Sequence, residues 1–172
     1  MCADASSRVG ANPRGPLRAC SLAVRDHLTS FIDEAGAPPA FVVGLSGGAD
    51  SLALALTTID VAARVGIPVV TVTVDHGLRA GSGEEARRVA DLAASLGARS
   101  TVESVTVRGP GGPEGSARDA RRAALRAVAL REGAPILLGH TMDDQAETVL
   151  LRLARGSGPS SLRAIAPISR DD

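Results

Sequence analysis

Short apolar runs alternate along this chain with longer stretches in which apolar positions recur at helical spacing. Residues 40–45 form the first such run; a Ser/Gly turn follows, and then a helical segment over 50–64 closed by Gly66. A β-branched run at 69–74 precedes a loop and a helix predicted over 84–96, in which Ala86, Val89, Ala90, Ala93 and Leu96 line one face. Residues 101–107 predict the next strand. The Gly- and Pro-dense stretch 108–115 predicts a mobile loop, and Ser116 is placed as the cap of a helix reaching about Arg131. Residues 135–138 predict a fourth strand and 142–154 a further helix. Ahead of all this, Leu17, Leu22, Val24, Leu28, Phe31 and Ile32 fit an amphipathic helix over about 17–34, ended by Gly36 and the Pro38-Pro39 pair. Residues 1–16, with Ser, Gly, Asn and two Pro among them, read as a disordered leader.

Strands that alternate with helices imply right-handed βαβ crossovers, and so an α/β fold with a parallel sheet covered by helices on both faces. In such sheets a ligand sits beyond the C-terminal strand ends, near the point where strand order reverses. Three polar clusters follow strands in that way, at 46–51, 75–79 and 140–147.

Composition narrows the chemistry. A chain of 172 residues that is 44% hydrophobic can bury one sizeable core, so one domain over 17–172 is expected. With no Trp or Tyr and two Phe, stacking of bases on aromatic rings is excluded as a main binding device. The formal net charge of zero carries no signature of a polyanion binder. Every basic side chain is Arg, and several fall between Arg118 and Arg170. That bias reflects either a phosphate-facing side or a codon preference. Cys2 and Cys20 form neither a CxxC pair nor a Cys/His cluster, which argues against a disulfide framework and a structural zinc. No apolar run approaches the length of a membrane span, and a cytoplasmic location is expected.

The first polar cluster, Ser46-Gly47-Gly48-Ala49-Asp50-Ser51, places two glycines where a strand hands over to a helix. Glycine lets the backbone approach a ligand closely, and the helix start presents unpaired N–H groups and partial positive charge. Ser46 and Ser51 add hydroxyl donors. The cluster is neither GxxxxGK[ST] nor GxGxxG, so no Lys reaches a γ-phosphate. It carries Asp50 instead. A carboxylate beside phosphates repels them unless a divalent cation lies between, which suggests Mg²⁺; the alternative is that Asp50 caps the following helix. In the third cluster Asp143, Asp144 and Glu147 lie in the first turns of a helix, where acids suit the macrodipole, and Asp144 and Glu147 share a face that can hold a metal or accept a proton.

The run SGGxDS after an apolar strand resembles the pyrophosphate loop of the N-type ATP pyrophosphatases (PP-loop superfamily), which cleave ATP between its α- and β-phosphates. Further segments resemble the tRNA(Ile)-lysidine synthase family in the same order: Val74-Asp75-His76-Gly77-Leu78-Arg79, Ala117-Arg118 with Arg121-Arg122, His140-Thr141-Met142-Asp143-Asp144-Gln145-Ala146-Glu147-Thr148, and Leu151-Arg152-Leu153-Ala154-Arg155-Gly156-Ser157-Gly158. The resemblance implies an adenine nucleotide alpha hydrolase-like fold and ATP with Mg²⁺. It further implies free L-lysine and isoleucine tRNA with a CAU anticodon as substrates, no membrane partner, and room for a homodimer. The C2 carbonyl of the wobble cytidine would be adenylated, and the lysine amine would then displace AMP.

On this resemblance Ser46, Gly47, Gly48, Ala49, Asp50 and Ser51 cradle ATP, Asp50 and Asp144 hold Mg²⁺, and Glu147 helps deprotonate lysine. Arg118 steadies developing charge, His140 contacts the nucleotide, and Asp75, His76, Arg79 and Asp143 are assigned to substrate. For His76 a backbone-bonded loop histidine remains an equal alternative; Arg152 and Arg155 either touch RNA phosphate or only solvate a helix. Two departures stand out. Relatives often carry paired His where this chain has His140-Thr141, and they continue past Asp172 through the rest of the catalytic domain to a C-terminal tRNA-binding region. The other readings are a nucleotide-binding fragment without full activity and another PP-loop tRNA-modifying enzyme, such as a thiolase, which would need sulfur-carrying or cluster-binding Cys beyond Cys20.

Overall fold

The computed structural model describes residues 4–106 and 112–154, which fall into two compact units, residues 1–138 and 139–172. In the first unit the order is α1 (Ala5–Val9), α2 (Gly15–Ala35), β1 (Phe41–Gly44), α3 (Ala49–Arg64), β2 (Val69–Asp75), α4 (Ser82–Ser95), β3 (Arg99–Ser104), α5 (Gly112–Glu132) and β4 (Ile136–Leu137). The second holds α6 (Met142–Ala154). Among the described residues no helix is long and apolar enough to cross a membrane.

The four strands pair in parallel in the order β3-β2-β1-β4. From β1 the chain moves outward through β2 to β3 and then returns to the other side of β1, so strand order reverses between β1 and β4. Alternate residues of the strands feed two cores. Phe41, Val43 and Val69 face α2, α3 and α4, where Leu28, Ala55, Ile59, Ala62 and Ala93 close one layer. Val42, Val70 and Val72 face α5, through Leu125, Val128 and Ala129. Both faces of the central strands are therefore dry, which is why β1 and β2 read as unbroken apolar runs rather than as alternating ones. Phe41 is fully buried and meets Phe31 of α2 edge to face, with ring centroids 6.1 Å apart.

The elements match the sequence pattern apart from end shifts of up to three residues, as in α4 and β3, and three larger differences. Within the expected leader, residues 5–9 form α1, whose Ala5 and Val9 are buried. Asp4 caps it by accepting from Ser7 N–H at 2.8 Å, and Ala5 N–H donates to the Leu96 carbonyl at 3.0 Å. Two apolar side chains at i, i+4 suffice to dock one helical turn, a signal too short to stand out among Ser and Pro. The second difference is at Ser116, which lies inside α5 and is buried rather than capping it; the helix already includes Gly112 and Pro113. Proline near a helix start gives up no hydrogen bond, so this Pro belongs to the first turn rather than to a loop. Residues 108–111 of the expected loop lie outside the described residues, as do Cys2 and Arg155 and the side chain of Arg152. Third, Gly48 is the N-cap of α3, and Asp50 is its second helical residue.

Candidate nucleotide-binding site

The loop after β1 emerges where strand order reverses, at the C-terminal end of a strand whose first three residues are buried. Leu45 N–H still donates to the Val72 carbonyl at 2.9 Å, so the strand is anchored up to the residue before the loop. Gly47 adopts φ +85°, a left-handed conformation that side chains disfavour, and a Cβ built there would lie 3.0 Å from Val89 Cγ2. Gly48 then caps α3 with no side-chain hydrogen bond. The N–H groups of Gly47, Ala49 and Asp50 donate to no described residue. Together with the helix macrodipole they make a surface suited to an anion.

The two serines divide the work. Ser51 is buried, and its Oγ donates to the Gly48 carbonyl at 2.9 Å while accepting Ser46 N–H at 3.2 Å. Its hydroxyl locks the loop. Ser46 is exposed, with its Oγ 3.1 Å from Ser51 Oγ and 3.4 Å from Gly48 N. Asp50 is exposed, and its carboxylate makes no ion pair or hydrogen bond with any described residue.

The loop after β2 lies at the same edge, beside β1's loop, because β1 and β2 are neighbours running in parallel. Asp75 Oδ1 accepts from Ser82 Oγ at 2.6 Å and from Gly77 N–H at 2.9 Å, folding the loop around its own carboxylate. The Ser82 hydroxyl first, and the Gly77 N–H second, hold this carboxyl below the ordinary aspartate value of 3.8, with smaller help from the charges of His76 and Arg87. Since the folded value is depressed, the stabilisation is complete above the unfolded value and is lost as pH falls through the folded one. The Gly77 amide proton resonance is accordingly expected to titrate with a midpoint below 3.8 and to be flat over that range in Asp75→Asn. A midpoint at or above that value would show that the tie is not made. His76 Nδ1 is shielded from solvent and bonds to no described residue, so the backbone-bonded alternative is not seen at that nitrogen. Arg79 is exposed and reaches Glu85 at 3.5 Å, a pair of little energetic weight.

α5 leads into a strand parallel to β1, so it starts at the same C-terminal edge, and Arg118 lies in its early turns, exposed. Arg122 is also exposed and Arg121 is half-buried.

In the second unit, Asp144 Oδ2 accepts both Thr141 N–H at 2.6 Å and Thr141 Oγ at 2.9 Å, while Asp144 N–H donates back to Thr141 Oγ at 3.2 Å. This is a reciprocal capping box at the start of α6. These bonds, the backbone one first, hold the Asp144 carboxyl below its ordinary value, with His140 adding a smaller effect. Oδ1 of Asp144 remains unused by the described residues. Thr141 therefore has a definite task, and the T-x-x-D spacing was the signal for it. Thr141→Ala is expected to speed amide exchange through the first turn of α6, and unchanged exchange would mean that the cap contributes nothing. Asp143, His140 and Glu147 are exposed on the same stretch, Glu147 one turn beyond Asp144. Among the described residues no group of three or more His, Cys, Asp or Glu side chains is gathered closely enough to hold a metal by itself.

A parallel sheet with a Gly-rich turn into a helix at its reversal point defines a Rossmann-like nucleotide-binding domain. The model of the PP-loop domain matches residues 21–172, and the chain belongs to that family of ATP-using domains. It is 58% identical over 127 residues to the tRNA(Ile)-lysidine synthase of Thermobifida fusca, covering 73% of this chain and 39% of that protein. It is 53% identical over 151 residues to the tRNA(Ile)-lysidine synthase of Salinispora arenicola, covering 86% of this chain and 44% of that protein. The chain thus spans less than half the length of these curated relatives. Among solved structures, the U34-tRNA thiolase NcsA of Methanococcus maripaludis with its [4Fe-4S] cluster superposes with a TM-score of 0.64 at 19% identity, covering 83% of this chain and 53% of that one. The glutamine-dependent NAD+ synthetase of Acinetobacter baumannii in complex with ADP gives 0.56 at 15% identity, covering 86% and 28%. At such identities these two show the fold alone.

Proposed function

We propose that this chain is the ATP-handling part of a tRNA(Ile)-lysidine synthase. The C2 carbonyl oxygen of the wobble cytidine attacks the α-phosphate of ATP and pyrophosphate leaves. The amine of free lysine then adds at C2 and AMP departs, leaving lysidine after loss of a proton. The observation that carries the ATP step is the loop at the sheet's reversal point, with its left-handed Gly47 and its undonated N–H groups. The choice of acceptor rests on the relatives named above, which share half or more of their aligned residues with this chain.

The residues divide the tasks as follows. Gly47, Gly48, Ala49 and Asp50 turn backbone N–H groups toward phosphate oxygens, with the Ser46 hydroxyl beside them and Ser51 locking the turn. His76 and Arg79, on the neighbouring loop at the same sheet edge, take nucleotide or base. Arg118 offsets charge that develops on the transferred phosphate. Mg²⁺, when bound, neutralises phosphate charge and polarises the α-phosphate. Each carboxylate taken by itself suits such an ion: among the described residues Asp50 has no partner and Asp144 leaves Oδ1 unused, and Mg²⁺ takes one or two carboxylates and fills its remaining positions with water and phosphate. Glu147 is assigned to lysine, whose ammonium, with a pKa of about 10.4, must lose a proton before it can attack. His140 and Asp143 are assigned to nucleotide and substrate.

The test pairs calorimetry of ATP with Mg²⁺ against transfer of radiolabelled lysine to minor isoleucine tRNA. Both signals support the proposal. Binding without transfer reduces the chain to a nucleotide-binding module, and the loss of both signals sinks the ATP reading as well.

A further inference from the structure

The loops after β1 and β2 are held by the same helix. Ser82 opens α4 and donates to Asp75 Oδ1 at 2.6 Å, while a Cβ on its neighbour Gly83 would lie 3.1 Å from Asp75 Oδ2. Two turns further along, on the same face, Val89 lies under the first loop, its Cγ2 3.0 Å and its Cγ1 3.9 Å from where a Cβ on Gly47 would be. Ala86, Ala90 and Ala93, on or beside that face, are buried, and Val89 itself packs against the core. A β-branched side chain in a helix has essentially one χ1 rotamer, so the Val89 methyls cannot swing aside. Gly47 by itself could take either sign of φ, and the surface beneath it selects one.

We propose that Val89 is a positioning residue for ATP: its branched methyls form the floor against which Gly47 turns, so that α4 sets the direction of the loop's N–H groups and, through the Ser82–Asp75 bond, ties it to the loop carrying His76 and Arg79. Val89 touches no substrate. It acts through Gly47, and the proposal rests on the reading of that loop as a phosphate site.

Shape and hydrophobicity are separable at this position. Val89→Leu keeps an apolar side chain but moves the branch one carbon outward, Val89→Ala removes it, and Val89→Thr keeps the branch at Cβ. The experiment is calorimetry of the full chain with ATP and Mg²⁺ at a temperature where every variant is folded, with melting temperatures recorded in parallel. Val89→Leu and Val89→Ala are expected to bind ATP roughly fivefold or more weakly, a difference of about 1 kcal/mol. Val89→Thr is expected to bind within about twofold of the parent despite its buried hydroxyl, because the change in affinity is then well below about 1 kcal/mol. Ile59→Val, which trims the same core at the far end of α3, lowers the melting temperature and leaves affinity unchanged. Amide exchange at Gly47 and Gly48 is expected to quicken in Val89→Leu and Val89→Ala only. Parental affinity in Val89→Leu and Val89→Ala, or loss of affinity in Ile59→Val in step with its stability, overturns the proposal while leaving the loop reading intact. If the parent chain itself binds no ATP, both fall together.

Discussion

Replacing Asp50 with Ala is expected to invert the effect of Mg²⁺ on ATP binding. The Asp50 carboxylate sits in the first turn of α3 beside the N–H groups assigned to phosphate, and no described residue neutralises it. Without a cation it repels the triphosphate: at about 5 Å and an effective dielectric of about 40, two unit charges oppose each other by about 1.7 kcal/mol. With a cation it becomes a ligand. The parent chain should therefore bind ATP poorly in chelator and tightly in Mg²⁺, whereas Asp50→Ala should bind better than the parent in chelator and gain little from Mg²⁺. AMP formation, where the parent supports it, should fall by about 10²–10³-fold, as when one preorganised electrostatic partner of a transition state is removed. Stability should change by less than about 1 kcal/mol, the usual limit for an acid acting only on the macrodipole. Calorimetry in the two buffers decides the matter. Equal loss of affinity in both would assign Asp50 to the helix start rather than to a metal.

The largest stability effect is expected at Phe41. Its side chain is fully buried in the middle of the first core and contacts the ring of Phe31 at an interplanar angle of 68°. Truncation to Ala leaves a cavity that the surrounding Leu28, Val43 and Ile59 cannot close without moving β1, and such changes cost about 3–5 kcal/mol. Against a domain stability of about 5–15 kcal/mol that is a substantial fraction. Because Trp and Tyr are absent, urea unfolding has to be followed by far-ultraviolet circular dichroism. The midpoint should fall at nearly constant m. A midpoint shift worth less than about 2 kcal/mol would mean that the α2–β1 contact is looser than the ring geometry indicates.

The strand order was not legible, although the strands themselves were. Periodicity at residues 40–45 and 69–74 located β1 and β2, because burial on both faces demands apolar residues at every position. Pairing between β1 and β4 depends on a contact across a long stretch of chain, and local pattern carries nothing about it. Within the site, the glycines and acids were visible because their chemistry is local to a few residues. Val89 was visible only as one member of an apolar face, since nothing in the residues near it names Gly47 as its neighbour. Ser82 lay two residues ahead of the predicted helix start and escaped notice for the same reason. Thr141 was the opposite case, a local T-x-x-D cap overlooked beside acids that suggested catalysis.

The sequence by itself determined the α/β class, the start of α6 at Met142, and the loop from Ser46 to Ser51 as a glycine-rich turn between a strand and a helix. Hydrophobic period and glycine placement are properties of neighbouring residues, so they can be read along the chain. Only the tertiary structure decided that Ser51 turns inward to lock this loop while Asp50 stays free, that Asp75 folds its own loop through Ser82, and that α4 underlies both. Each of these depends on which way a side chain points once distant segments pack, and packing is settled by the whole core at once.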